Sequence, residues 1–198
     1  MIGIHVKKIF KKLPCVETER LILRRLKVSD AKDIYQYAKN PQVSKYTMWH
    51  AHKSSTESAS FLTYLTRNYR KGIPEAWGML LKENNKIIGT CGFYKIDERC
   101  RNGEVGYAMG KPYWGKGLMT EALKAMLEFG FKKLGLHRIQ ANTKPGNVGS
   151  EKVLLKNGFK YEGLMRDSIF AKGKYHDLRV LSILEPEWKK KRNKGRYA

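Results

Sequence analysis

Residues 104–122, EVGYAMGKPYWGKGLMTEA, decide the fold because the hydrophobic pattern changes its period within them. Val105, Tyr107 and Met109 alternate with other residues, as on one side of a strand. Between residues 119 and 134 the apolar residues recur at helical spacing. The stretch therefore predicts a strand, a glycine-containing loop and the start of a long helix.

The loop between that strand and helix is suited to binding an anion. Gly115 and Gly117 leave the backbone unobstructed, so successive N–H groups can converge on a phosphate. The first turn of the helix adds unpaired N–H groups and the positive end of the dipole, and Lys116 adds charge. The spacing matches neither a P-loop nor a dinucleotide-binding motif, so a plain tight turn is the alternative.

The flanking sequence predicts alternating strands and helices. Predicted strands cover residues 21–26, 77–82, 87–95, 104–109, 138–143, 165–171 and 175–184. Predicted helices run from Ser29 as N-cap to 38, from Ser54 to 71, from 119 to 134 and from 147 to 157, and residues 42–53 are predicted to be irregular. This order is typical of a mixed α/β domain with one central sheet.

Composition narrows the class of protein. The 198 residues are 41% hydrophobic and 29% charged, which fits one folded domain and excludes global disorder. Apolar runs are too short to span a bilayer, so we expect no membrane partner. Cys15, Cys91 and Cys100 are odd in number and widely spaced, so we expect no disulfide framework, no metal site and a cytoplasmic location.

The charge balance is strongly basic. Forty Lys and Arg residues against eighteen Asp and Glu residues give a net charge of +22, and ten of the basic residues lie in the two ends. We therefore expect a basic N-terminal extension (1–16), a domain (17–186) and a basic C-terminal tail (187–198). The excess charge favours an anionic ligand or partner. For the ends, solubility or nonspecific contact with RNA or ribosomes is an equal alternative.

Several motifs together resemble a known family. The chain is similar to the GNAT N-acetyltransferases, and within them to the branch that acetylates N-terminal serine or alanine of bacterial ribosomal proteins. The resemblance covers residues 17–184 and is carried by 104–122, Asn147-x-x-Ser150, Asn157-Gly158-Phe159, TERLILR at 18–24 and GKYHD at 173–177. It implies the GNAT fold, with a mostly antiparallel sheet, splayed strands and flanking helices. It also implies acetyl-CoA as cofactor.

The resemblance assigns the cofactor site residue by residue. The pyrophosphate is expected on the loop, and the pantetheine arm between strands 104–109 and 138–143. The implied cofactor-binding residues are Ala108, Met109, Trp114, Gly115, Lys116, Gly117, Leu118, Met119, Thr120, Asn142 and Asn147. Trp114 and Met119 stand where the family usually has Gln or Arg and Gly or Ala, respectively.

The reaction needs a neutral amine and a proton donor for the leaving thiolate. An α-amino group of pKa near 8 is about one-tenth neutral at pH 7, so a general base is useful. The resemblance implies Glu104 as the base, acting through a water; the alternative is a solvated carboxylate at a strand edge. Ile169 stands where some relatives have a second Glu, and Glu162 and Asp167 are other candidates. Ser150 is the candidate acid, and its alternative role is helix capping.

The resemblance implies that the acceptor end lies between the first two helices. The candidate substrate-binding residues are Tyr35, Trp49, His50 and Tyr175, together with His52 and Tyr46; ordinary packing or surface exposure is the alternative for each. The leading function is acetyl-CoA-dependent acetylation of a protein N-terminus, with an acidic ribosomal protein as acceptor and a homodimer as the assembly. The alternatives are acetylation of a small amine, such as a polyamine or antibiotic, and RNA or ribosome binding by a degenerate acetyltransferase fold.

Overall fold

The computed structural model describes residues 3–194, with side chains for 6–192. Within this range eight strands form one sheet in the order β1-β2-β3-β4-β5-β6-β8-β7. The strands are β1 (Val16–Glu17), β2 (Leu21–Arg24), β3 (Ala76–Leu81), β4 (Lys86–Asp97), β5 (Asn102–Met109), β6 (Arg138–Thr143), β7 (Lys160–Ala171) and β8 (Lys174–Leu184). The helices are α1 (Gly3–Lys12), α2 (Ala31–Ala38), α3 (Pro41–Ser44), α4 (Ser55–Lys71), α5 (Leu118–Lys132), α6 (Val148–Asn157) and α7 (Glu185–Lys194).

The sheet is antiparallel except where β5 meets β6. In the described chain these two strands pair in parallel only over Asn102–Glu104 and Arg138–Gln140. On its other edge β5 pairs with β4 along its whole length, as far as Met109. The predicted mixed α/β fold with a mostly antiparallel, splayed sheet is therefore confirmed, and the splay begins at Glu104.

Helices cover both faces of this sheet. Trp77 of β3 packs edge-on against Phe129 of α5, with ring centroids 5.0 Å apart. On the other face, the Tyr69 hydroxyl of α4 donates to the Ala76 carbonyl at 2.5 Å, and the Ile87 N–H donates to Asp33 of α2. The buried side chains between these layers form one continuous core.

Most element boundaries match the sequence analysis, and the differences have local causes. Ser29 is not an N-cap: residues 28–30 form a 3-10 turn, and α2 begins after Asp30. The Asp30 carboxylate pairs with Arg24 and accepts the Lys27 N–H, which stabilises that turn. Residues 42–53 are only partly irregular, since the Asn40 side chain accepts the Gln42 N–H and begins α3.

The two basic ends contain helices whose apolar side chains join the core. In α1, Val6 and Phe10 are buried, and Lys7 approaches the helix end at Gly72. In α7, Trp188 is buried and lies 5.1 Å from the ring of Phe131. The division at 1–16, 17–186 and 187–198 stays a prediction, but charge alone does not distinguish a solvated extension from an amphipathic helix packed on the domain.

Across residues 3–194, none of the helices combines the length and apolar character that crossing a membrane requires.

Candidate functional site

The splay between β5 and β6 opens into a cleft of about 1090 Å³. One end reaches the glycine loop after β5 and the first turns of α5 and α6. The other end reaches α3, the segment that follows it, and α4. A ligand in this cleft therefore passes Glu104, where the two strands separate.

The strand edges inside the cleft have free hydrogen-bonding capacity. Within the described chain, Val105–Met109 have no strand partner on the side of β6. The buried Oδ1 of Asn142 and Oγ1 of Thr143 find no hydrogen-bond partner among the described residues. Buried polar atoms are normally paired, so these atoms fit a ligand that brings its own amides and binds like an added strand. The Met109 carbonyl is already occupied, because it accepts the Trp114 indole N–H at 2.7 Å.

The glycine loop has the geometry of an anion cradle. Gly115 and Gly117 both have φ of +76°, a conformation that favours glycine. No described atom lies within 4 Å of the position that a Cβ on Gly115 would occupy, so this backbone is open. Gly117 is the N-cap of α5, and no described side chain caps that helix. The first N–H groups of α5 are thus available to a phosphate.

Ionic and polar contacts hold the loop against the start of α5. Arg20 Nε pairs with Glu121 Oε2 at 2.7 Å, and Arg20 Nη1 donates to the Lys116 carbonyl at 2.9 Å. Thr18 Oγ1 donates to Glu121 Oε1 at 2.6 Å. Burial acts to raise the pKa of Glu121, but the hydrogen bonds from Thr18 and Arg20 outweigh it, so the pKa is lowered. We call these contacts the Arg20 clamp. The sequence analysis assigned no role to Arg20 or Glu121, although TERL at 18–21 was part of the family motif.

Glu104 lies at the apex of the splay and lines the cleft. Gln140, its partner across the parallel pair, donates to Glu104 Oε2 at 3.4 Å. The alternative carboxylate Glu162 is engaged elsewhere, since it pairs with Arg138 at 2.6 Å and accepts the Ser182 hydroxyl. The geometry thus favours Glu104 as the carboxylate that reaches a bound amine.

Of the two other positions that the sequence analysis considered for a base, one lines the cleft and one does not. Ile169 lines the cleft. Asp167 does not line it; it is exposed and has a φ of +45°. A carboxylate at position 169 would face the cleft, whereas this chain has an aliphatic side chain there.

Ser150 lies in the first turn of α6 and faces β5. Its backbone N–H donates to Asn147 Oδ1 at 3.3 Å, so Asn147 is the cap of this helix. Its hydroxyl lies 3.0 Å from the Tyr107 hydroxyl, which also donates to the Ser150 carbonyl at 3.2 Å. Burial raises the pKa of Tyr107, which keeps the phenol neutral and able to orient Ser150. The sequence placed Tyr107 correctly on the strand but gave no sign of this contact.

The predicted cofactor residues fall into two groups. Those that line the cleft are Ala108, Met109, Trp114, Gly115, Gly117, Met119, Thr120, Asn142 and Asn147. Lys116 and Leu118 do not line it: Lys116 Nζ lies over the Tyr113 ring, 5.9 Å from its centroid, and Leu118 is buried in the core. The backbone N–H groups of these two residues still belong to the loop and the first turn of α5.

The predicted acceptor residues are also divided. Trp49 lines the cleft, whereas His50 is exposed and outside it. The Tyr35 hydroxyl donates to the Lys53 carbonyl at 3.3 Å, which directs this side chain away from the cleft. Tyr175 is exposed and lines a smaller cavity beside the cleft. The cleft-facing histidine is His52, whose ring lies 5.5 Å from that of Trp49.

His52 is held in a fixed, partly desolvated position. Its Nδ1 lies 2.8 Å from Ser58 Oγ, and its ring also approaches Phe61. Burial lowers the pKa of His52, and the charge of Glu57 only partly opposes this. The neutral imidazole is therefore available at the acceptor end near neutral pH.

Tyr94 is a cleft residue that sequence reasoning missed. The pairing of β4 with β5 shifts register between Phe93 and Lys95, so Tyr94 occupies a β-bulge opposite the segment that contains Glu104. Its ring covers Gly106, where a Cβ would approach Tyr94 Cε2 to 2.9 Å. Protein surrounding the ring raises the pKa of its hydroxyl, although about half of the side chain is open to the cleft. A bulge has no simple sequence signature, so the strand pattern could not indicate it.

Among the described residues, no three His, Cys, Asp or Glu side chains are grouped so that they could hold a metal ion.

Comparison with known proteins gives one consistent result. The family model described as an acetyltransferase (GNAT) domain matches residues 20–160. The chain is 35% identical to the uncharacterized N-acetyltransferase p20 of Bacillus licheniformis, over 86% of this chain and 96% of that protein. It is 28% identical to the [ribosomal protein uS5]-alanine N-acetyltransferase of Escherichia coli, over 86% and 91%. The structure of the ribosomal-protein-S5-alanine acetyltransferase of Vibrio fischeri is similar, with a TM-score of 0.75, 28% identity and coverage of 88% and 98%.

Proposed function

The chain belongs to the GNAT acetyltransferase family, and we propose that it transfers the acetyl group of acetyl-CoA to the N-terminal amine of a protein. Enzymes of this family are N-acetyltransferases that use acetyl-CoA. The observation that carries the proposal is the splay of β5 from β6 at Glu104, which joins the glycine loop and the acceptor end in one cleft.

The cofactor is held in this proposal by backbone more than by side chains. The N–H groups of Gly117 and the first turn of α5 bind the pyrophosphate. The free edge of β5 and the unpaired Asn142 Oδ1 bind the amides of the pantetheine arm. Trp114 stabilises the loop and does not bind the cofactor through its indole N–H, because that group donates to the Met109 carbonyl.

Two side chains carry the proton transfers. Acetyl-CoA supplies an acetyl group activated as a thioester. Glu104 accepts a proton from the attacking amine through a water, which needs only modest help because an α-amine is already partly neutral at pH 7. Ser150, whose hydroxyl lies 3.0 Å from that of Tyr107, gives a proton to the departing sulfur and regains one from solvent. Glu104 releases its proton to solvent, so coenzyme A leaves as the thiol and both side chains return to their starting state.

A protein N-terminus fits the acceptor end better than a polyamine does. Of the described side chains that line the cleft, Glu104 is the only carboxylate. A polycation would need several carboxylates to replace its hydration and to balance its charges. A single amine followed by neutral backbone needs only the one base. The relatives named as ribosomal-protein acetyltransferases support a ribosomal acceptor by similarity alone.

The remaining expectations concern assembly and surroundings. We propose a homodimer, since β7 is a 12-residue edge strand whose exposed side chains include Leu164 and Phe170. The basic ends are proposed to make salt-sensitive contacts with RNA or ribosomes, and the proposed location is the cytoplasm.

The direct test is an acetyl-transfer assay with three acceptors, read by mass spectrometry. The acceptors are a lysine-free peptide with a free N-terminus, an N-terminally blocked peptide with one lysine, and spermidine. We expect acetylation of the first only. Glu104→Gln should lower its rate by about 10²–10⁴-fold while coenzyme A binds as in wild type, and the exposed Glu83→Gln should change neither. Acetylation of spermidine or of the lysine alone, or full activity of Glu104→Gln, would overturn the respective assignment.

A further inference from the structure

A second cavity of about 350 Å³ adjoins the acceptor end of the cleft. Tyr46 lines both cavities, and the chain passes directly from Pro145 in the smaller one to Gly146 in the larger one. The smaller cavity is lined by Lys45, Tyr46, Lys144, Pro145, Lys174, Tyr175, His176 and Asp177. A polypeptide whose N-terminus lies in the cleft can therefore extend into this cavity.

Three lysines line this cavity and a fourth, Lys172, lies beside it; we call the four the lysine cluster: Lys45, Lys144, Lys172 and Lys174. Lys144 is only 6% exposed, and its Nζ lies 3.4 Å from the Thr47 carbonyl. The Lys172 Nζ donates to the Ser44 carbonyl at 2.5 Å. These contacts place one ammonium group against the end of α3 and another against the segment that follows it. Carbonyl oxygens satisfy hydrogen bonds without cancelling charge.

The lysine cluster carries more positive charge than the described residues around it offset. None of its four members forms a salt bridge with a described side chain. Burial, and then the charges of Lys172 and Lys174, lower the pKa of Lys144. Asp177 is the single carboxylate of the lining, and its one negative charge offsets only part of the charge of the four lysines.

Such a concentration of ammonium groups without salt-bridge partners, in the cavity beside the acceptor end of the cleft, attracts anions and repels cations. We propose that the lysine cluster binds a carboxylate side chain of the acceptor polypeptide, so that the preferred acceptors have Asp or Glu within a few residues of their N-terminal amine. The inference rests on the proposed function, because it assigns a specificity subsite next to the acceptor end of the same cleft. A residue in extended chain advances about 3.3–3.6 Å, so the next few side chains of the acceptor come within reach of the cavity.

The test compares two lysine-free peptides that differ only in Asp or Asn at positions 2–5. Each carries fluorescein at its C-terminus, so that binding to the coenzyme A complex is followed by anisotropy and acetylation by mass spectrometry. The charge-reversal variant is Lys45→Glu with Lys174→Glu, both exposed. The matched control, Lys133→Glu with Lys190→Glu, makes the same change in net charge near the end of α5 and in α7, at exposed positions.

We expect wild type and control to prefer the acidic peptide about tenfold in Kd and in kcat/KM, with the preference shrinking as salt rises. The charge-reversal variant should lose the preference and bind coenzyme A as wild type does. Equal affinity for both peptides, or an equal loss of preference in the control, would overturn the proposal. A loss of coenzyme A affinity in the charge-reversal variant would also overturn it, because the cluster would then serve a cofactor phosphate.

The two proposals fail separately. If the neutral peptide is acetylated without any effect of charge, the lysine-cluster proposal fails and the proposed function stands. If neither peptide is acetylated, the proposed function fails, and the anisotropy titrations still decide whether the cluster selects acidic peptides.

Discussion

At one end of the cleft, Gly115 and Gly117 offer backbone N–H groups; at the other end, Trp49, His52 and Tyr94 offer side chains. The β5 edge and the glycine loop of the cofactor end lie within one continuous stretch, residues 104–122, and Arg20 holds this loop through the contacts described above. Strand β6 and helix α6 add Asn142 and Asn147. The acceptor end is assembled from α3, the segment after it, α4, the bulge in β4 and strand β7. A site made of backbone groups depends little on which side chains surround it, whereas the ligand of a site made of side chains depends on their identity.

The largest effect is expected from a side chain placed in the glycine loop, where the pyrophosphate is proposed to bind. Gly117→Glu places a carboxylate and a strained φ of +76° where the pyrophosphate is proposed to lie, so coenzyme A affinity should fall by about 100-fold or more in calorimetric titration. Gly135→Glu is the control, since Gly135 has a φ of +63° and open space but lies beyond α5. Both variants should lose similar stability, and only the first should lose affinity. Unchanged affinity in a folded Gly117→Glu variant would contradict the cradle.

The second prediction sharpens the acceptor end. Tyr94→Leu removes the phenol that covers Gly106 beside Glu104, so kcat/KM for the peptide should fall about tenfold, with coenzyme A affinity unchanged. Tyr64→Leu is the control, because Tyr64 is exposed on α4. Steady-state kinetics and calorimetry separate the two effects. If Tyr94→Leu weakened cofactor binding instead, the division between the two ends would be wrong.

The third prediction concerns the contacts of Arg20 that hold the glycine loop against α5. Arg20→Met removes the contacts to Glu121 and to the Lys116 carbonyl, so the loop loses its preset shape and coenzyme A affinity should fall about three- to fivefold. Lys160→Met, which removes the same charge from the exposed pair with Glu187 on β7, should have little effect. Calorimetry and thermal unfolding check both variants. Equal effects from the two would show that Arg20 acts only through net charge.

The smallest expected effect is a pH dependence at the acceptor end. Burial lowers the pKa of His52, so the unfolded state binds its proton first and stability is lost as pH falls below about 6.5. Between pH 7 and pH 5 the Tm of wild type should fall about 1–2 °C more than that of His52→Gln. His50→Gln, at an exposed position, should follow wild type. A parallel pH dependence in all three proteins would remove His52 as the cause.

The same contrast explains what the sequence could predict. The loop was identifiable because the change of period at 104–122 and the two glycines lie within a single stretch. Strand 138–143 and the helix predicted over 147–157 are likewise local patterns, and both are confirmed. Where a property arises from neighbouring residues, the sequence indicates it.

The missed features depend on residues that are distant in the chain. The bulge at Tyr94 arises from pairing between strands, and the contact of Tyr107 with Ser150 joins β5 to α6. The burial of Phe10 in the core required knowing that α4 ends where α1 can dock. His50 and His52 are two residues apart, and only the fold decides that His52 faces the cleft. Single-residue patterns carry none of this information.

The central claim is that the cofactor end binds through the backbone of β5 and of the loop. Hydrogen–deuterium exchange with and without coenzyme A tests it most directly, because the exchanging atoms are the proposed ligands. We predict protection of amides at 105–109 and 114–120 on adding coenzyme A, with no matching change at 45–53 until an acceptor peptide is also added. Unchanged exchange at 114–120 with saturating coenzyme A, or protection confined to 45–53, would contradict the account.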